Sequence, residues 1–226
     1  MVGSQSDHGV SRAVARKTNE TRPVRRGRPP AYDRQAALKR ATDEFWRAGY
    51  SGTSLDSIAA ATGMNPPSLY AAFGNKRAIY LEALSRYWEI SLAATREALA
   101  EDRPLAEALM LAYEAAMSIY FSGKGNARGC FVIGTAIVEA AEDAAIRDDV
   151  TKGLHMIDTY FEARFRVARD RGELEPDANP AALAVLASAT MQSIAIRARA
   201  GARRAELREI ARKAVSVLCG SRQDAD

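Results

Sequence analysis

The sequence is poor in the residues that build covalent or metal-held frameworks. Among 226 residues it has two cysteines, Cys130 and Cys219, and two histidines, His8 and His155. Neither a disulfide nor a zinc-ligand spacing appears, so no such framework, metal or cofactor is implied. Uninterrupted apolar runs fall well short of the roughly 18 residues that a membrane span needs. Arg12, Arg16 and Lys17 interrupt the N-terminus where a signal peptide would carry its apolar core. These absences predict a cytoplasmic protein with no membrane partner. Nor is there strand-like alternation of any length, or a glycine loop shaped to cradle phosphate.

What the chain has is enough apolar residue, 47%, to bury a sizeable core. Its charge is uneven. Residues 1–30 hold seven of the 32 basic residues against two of the 28 acidic ones, which leaves the rest nearly neutral. With no apolar periodicity, this stretch is predicted to be a disordered basic arm, and 221–226 a disordered tail. A basic arm beside a folded body suits nucleic acid, because phosphate neutralisation releases counterions. A merely solvated tail accounts for the charge equally well.

From Asp33 onward the periodicity is helical. Ala37, Leu38, Ala41, Phe45 and Ala48 recur at spacings of three and four behind an Asp33 cap, and Gly49 stops the helix. A short helix follows Thr53, whose hydroxyl is read as its cap with Asp56 three residues on. Leu55, Ile58 and Ala59 form its inner face and Gly63 ends it. Pro66 and Pro67 then open a third helix in its first turn, where a missing N–H costs nothing. Leu69 and Phe73 face inward, which leaves Asn65, Pro66, Ser68 and Tyr70 outside. Asn75 caps a fourth helix. The remainder reads as a larger helical body. Helices are predicted from Asp102-Pro104 to Phe121, Cys130 to Ala140, Asp143 to Arg169, Asn179-Pro180 to Gly201, and along a last segment carrying Leu207, Ile210, Val217 and Leu218.

A short capped helix, a glycine turn and a second short helix with polar residues outside is the layout of a helix-turn-helix, whose second helix enters the major groove. An ordinary helical hairpin has the same outline. The landmarks Gly49-Tyr50, Thr53-Ser54, Ile58-Ala59, Gly63, then Ser68-Leu69-Tyr70, Phe73 and Lys76 resemble the DNA-binding domain of the TetR/AcrR family of transcriptional regulators. The resemblance spans about residues 31–80, and Ala72 stands where many members carry histidine. It implies an all-α protein with a three-helix DNA-binding domain at 31–80 and a ligand-binding and dimerisation domain at 81–220. It further implies phosphate contacts from Tyr70 and Lys76, backbone anchoring by Thr53 and Ser54, and base edges facing Asn65, Pro66, Pro67 and Ser68. Independently, asparagine can pair with adenine and proline can press on a thymine methyl. Arg26 and Arg28 in the arm are candidates for the adjacent minor groove or backbone.

In this family the last two long helices pair with a twin. Ala181, Ala182, Ala184, Ala187 and Ala189 permit close approach, and Leu183, Leu186, Leu207, Ile210, Val217 and Leu218 are the candidate interface; intrachain core is the alternative for all of them. Partners are therefore a double-stranded operator, a second copy and a small-molecule inducer. Inducer-pocket candidates are Tyr113, Met117, Tyr120, Phe121, Phe131, Ile137, His155, Met156 and Tyr160, with plain core as the alternative. Cys130 follows Gly129 at a predicted helix start near Lys124 and Arg128. Such surroundings lower a thiol's pKa, so an oxidant or electrophile sensor stands beside a small core residue. Two other classes compete: an enzyme using Cys130 with His155 as base, and a non-specific architectural DNA binder.

Overall fold

In a computed structural model, residues 33–123 and 125–220 are described, and every regular element among them is helical. The arm with Arg26 and Arg28, Lys124 and the tail at 221–226 lie outside the described residues.

Helix α1 (Arg34–Ala48) starts where the Asp33 carboxylate accepts the Gln35 and Ala36 backbone N–H groups, and it buries Ala37, Leu38, Ala41, Phe45 and Trp46. Helix α2 (Leu55–Thr62) differs from the sequence expectation at its start. Ser54, not Thr53, is the cap, and its partner in the reciprocal box is Ser57 rather than Asp56. Thr53 is only 2% exposed, and its hydroxyl turns back to donate to the Gly49 carbonyl at 2.7 Å. That bond turns the hydroxyl back toward the α1–α2 turn, and the cap falls to Ser54. Gly63, left-handed at φ +71°, ends α2, a conformation in which a side chain would be strained. Helix α3 (Pro66–Phe73) opens on its two prolines, and Asn65 Oδ1 accepts the Ser68 N–H at 2.9 Å. Helix α4 (Lys76–Ala98) is capped by Asn75 and runs unbroken past residue 80, where the domain boundary was expected. The head and the body therefore share a rigid element.

The body continues with α5 (Leu105–Tyr120), α6 (Phe131–Thr135), a 3₁₀ turn (Glu139–Ala141), α7 (Ala144–Asp170), α8 (Pro180–Arg199) and α9 (Arg204–Leu218). The helix expected from Cys130 to Ala140 breaks after five residues. Val132, Ile133 and Thr135 are β-branched and Gly134 has weak helix propensity, so only tertiary packing sustains α6. α7 packs on α8, α8 on α9, and α4 and α9 on α5. α7 lies close to α4 because of Gly153: a Cβ there would come within 2.2 Å of the Trp88 ring. Arg164 of α7 is buried, donating to the Arg103 carbonyl at 2.8 Å and to Glu173 at 3.1 Å. Glu173 in turn accepts the Leu105 N–H at the first turn of α5. Sequence periodicity does not anticipate an arginine in the core.

α8 bears on the membrane expectation without overturning it. It is long and apolar enough by composition to cross a membrane, with mean hydropathy 1.4, because its serines, threonine and glutamine carry no charge. One face packs inside the body through Ala184, Ala187, Met191, Ile194 and Ala198, and the other leaves Val185, Leu186 and Ile196 exposed.

Candidate nucleic-acid interface and ligand cavity

α1 braces the short helices of the head. Arg40 of α1 donates to the Thr62 carbonyl at the end of α2, at 3.2 Å. Arg34 pairs through both Nη atoms with Glu82 of α4 and lies 4.5 Å from the Phe73 ring centroid. With Leu69 and Phe73 buried, α3 presents Asn65, Pro66, Pro67, Tyr70 and Ala71 outward, and Tyr70 is 52% exposed. Ser68 is half-buried and Ser54 exposed. Asn65 spends a lone pair of Oδ1 on its cap, so its outward-facing capacity is mainly its two N–H donors. Two expected DNA contacts look different in place. Thr53 is buried with its hydroxyl committed, so its side chain shapes the turn and does not reach a phosphate. The Lys76 ammonium sits 4.3 Å over the Tyr50 ring, which holds it at the start of α4.

The segment from Arg128 to Asp143 joins the head to the body at both of its ends. At one end Arg128 donates to Asp43 at 2.5 Å and covers the Trp46 ring at 4.1 Å. Arg199 adds bonds to the carbonyls of Arg128, at 3.1 Å, and of Trp46, at 3.4 Å. At the other end Arg77 makes a two-bonded pair with Asp143, at 2.6 and 2.9 Å, and Ser51 donates to Glu139 at 2.7 Å. The Arg77 hydrogen bonds hold the Asp143 carboxyl down at about 2. Between these ends, Trp46, Tyr80, Tyr87 and Phe131 interlock edge to face or tilted, with centroids 5.4 to 5.9 Å apart.

The same segment walls a cavity of about 60 Å³ between α4, α5, α6, α7 and α8. Of the expected ligand-binding residues, Tyr120, Cys130 and Ile137 line it, joined by Tyr87, Trp88, Ser91, Leu154, Ser188 and Gln192 among others. Tyr113, Met117 and Phe131 are core instead, and the Tyr113 hydroxyl donates to the Ala187 carbonyl. His155 and Met156 face solvent, because Leu154 and Ile157 take the inward positions of that turn. Phe121 and Tyr160 are half-buried and do not line the cavity. Sequence periodicity missed Tyr87, Trp88 and Ser91, since α4 had been read only as the helix after the head.

Cys130 fits the small-core-residue alternative better than the activated thiol. Burial pushes its thiol above the ordinary range, and the Tyr87 hydroxyl donates to Sγ at 3.1 Å. Arg128, expected to stabilise a thiolate, is engaged by Asp43 and Trp46, and α6 is too short to act as a strong dipole. His155 faces solvent while Cys130 lines the cavity, so the two do not form a nucleophile–base pair.

On the candidate interface helices, Leu207 and Leu218 are buried in their own chain, so they have no surface to offer a partner. Leu183 and Ile210 are half-buried. Leu186 and Val217 remain outward, at 57% and 77% exposure, as do Val185 and Ile196.

A braced pair of short helices standing on an all-helical body with an internal cavity defines a class of DNA-binding regulator, and the comparisons agree. Residues 37–83 match the family described as bacterial regulatory proteins, tetR family, and residues 106–215 match the tetracyclin repressor-like C-terminal domain. The HTH-type transcriptional repressor ComR of Escherichia coli (strain K12) is 33% identical over 187 residues, 82% of this chain and 89% of ComR. The HTH-type transcriptional activator FasR of Mycolicibacterium smegmatis is 34% identical over 107 residues, 45% of this chain and 49% of FasR. A cysteine mutant of the TetR-family regulator CifR, solved with 26-bp double-strand operator DNA, aligns with TM-score 0.75 and 30% identity, covering 83% of this chain and 98% of CifR. The chain belongs to the TetR family of bacterial transcriptional regulators, which bind DNA and are not enzymes.

Proposed function

We propose that this regulator is a repressor that binds a palindromic operator as a homodimer and is released when a small molecule enters the cavity. The outward face of α3 carries the reading. Asn65, Pro66, Pro67 and Ser68 are assigned to base edges, and Ser54, Tyr70 and Lys76 to the phosphate backbone, with Arg26 and Arg28 of the arm as accessory contacts. The ComR name and the CifR operator complex support repression and operator binding. FasR, an activator, supports the opposite sign of control through the same head.

Pairing through α8 and α9 would use Val185, Leu186, Ile196 and Val217, large apolar side chains that a lone chain leaves in water. A two-fold pair sets its recognition helices roughly 34–36 Å apart, one DNA turn. Light scattering should return twice the 24.5 kDa chain mass. Release by a ligand is supported by the segment 128–143, which walls the cavity and grips the head at both ends. The test is a footprint at fixed salt on the DNA flanking the regulator's own gene. Two protected half-sites about one turn apart are expected. Protection that ignores sequence would leave an architectural binder instead.

A further inference from the structure

Four tyrosines are buried among the described residues, and three of their hydroxyls have a partner. Tyr80 shares a hydrogen bond with Thr135, Tyr87 donates to Cys130, and Tyr113 donates to the Ala187 carbonyl. Tyr120 is 4% exposed and lines the cavity, and its hydroxyl has no hydrogen-bond partner among the described residues. With no protein partner and not fully enclosed, the hydroxyl can donate to whatever occupies the cavity it lines, water or a ligand. Burial also keeps this phenol well above its ordinary range, so it stays protonated and able to donate.

The rest of the lining narrows what can satisfy it. No lining residue carries a formal charge, so an ionic ligand would be desolvated without a counter-charge. Trp88, Ile133, Ile157 and Met191 make the walls apolar. The Tyr87 hydroxyl and the Ser188 hydroxyl are already spent, on Cys130 and on the Val185 carbonyl. The cavity, about 60 Å³, is also smaller than the roughly 150 Å³ that holds a benzene ring elsewhere, although half-exposed Ile137 lines it and can give way.

We infer that the cavity takes a compact, uncharged organic molecule bearing a hydrogen-bond-accepting oxygen, and that the Tyr120 hydroxyl donates to that oxygen and sets the ligand's orientation. The inference rests on the reading of this cavity as the effector site. Ser91 and Gln192 are further polar side chains on the same lining.

The test compares 2-butanone with 2-methyl-1-butene, in which a CH₂ replaces the carbonyl oxygen, on the full chain. Binding is followed by tryptophan emission in a Trp46→Phe background, which leaves the cavity-lining Trp88 as the emitter, and by thermal shift on the unaltered chain. In Tyr120→Phe the ketone-to-alkene affinity ratio should fall about tenfold, with alkene affinity unchanged or slightly raised. An unchanged ratio, with both compounds bound, overturns the inference and leaves the cavity reading standing. Binding of neither compound to the wild type overturns both. Should Tyr120→Phe fail to fold, the wild type answers by infrared spectroscopy. The carbonyl stretch of bound 2-butanone should lie below its value in hexane, and a hexane-like frequency overturns the inference.

Discussion

The head and the cavity wall are built from helices of similar length and opposite character. α2 and α3, each eight residues, are closed by side-chain caps at Ser54 and Asn65 and by glycines at their ends. α6, five residues, has no side-chain cap hydrogen bond and is held by what packs around it. The head thus carries its shape locally, while the wall borrows its shape from α1, α4 and α8. A surface that must fit an unchanging DNA groove benefits from the first arrangement. A wall held by its neighbours has a shape that depends on what packs against it.

That contrast can be tested by mutation. The largest effect is expected where the body is stitched through one buried charge. Arg164→Ala leaves Glu173 and the start of α5 without their partner and should cost about 3 kcal/mol or more in denaturant melts. A cost within experimental error would mean that the buried pair does not hold α5 to α7. Next is Arg128→Met, which releases Asp43 and Trp46 but keeps a long apolar chain. Operator affinity should fall while the melt of the body changes little, and a large loss of stability with unchanged affinity would place Arg128 in the fold instead of the coupling.

Ser54→Ala removes one half of a reciprocal cap and should destabilise the head by about 1 kcal/mol. Amide exchange should rise in α2 and α3 and not in α6, and a uniform rise would erase the distinction between local and borrowed shape. Lys76→Ala should weaken operator binding across all sequences and lower the salt slope by about one. An unaltered slope would put Lys76 away from the phosphates. The smallest effect concerns Cys130. Because burial raises its pKa, it holds less thiolate at neutral pH than an ordinary cysteine. Alkylation by iodoacetamide should be slow at pH 7 and accelerate only as pH climbs through and beyond 9, the ordinary value. Rapid reaction at pH 7 would restore the sensor reading.

Most of the head was readable from the chain. Asp33 and Asn75 cap their helices as expected, and Asn65, expected only as an outward residue, caps α3 as well, because each side chain bonds a backbone group two or three residues away. The miss at Thr53 came from the same physics: two neighbouring hydroxyls competed, and the buried one turned back to Gly49. The cavity was far less readable. Tyr120, Cys130 and Ile137 were among ten candidates, and nothing in the helical pattern set them apart from the other seven. Periodicity says that a residue faces inward, and it does not say whether another side chain or empty space meets it there.

The sequence by itself determined the helical class, the capped turn-and-helix unit and the outward residues of α3, since these depend on interactions within a few residues. Only the tertiary structure decided that the 128–143 segment grips the head at both ends. The same is true of the upward shift of the Cys130 thiol, of Leu207 and Leu218 lying inside their own chain, and of the unpartnered Tyr120 hydroxyl. Each of these depends on which surfaces meet across dozens of residues, and the pattern along the chain carries no record of that.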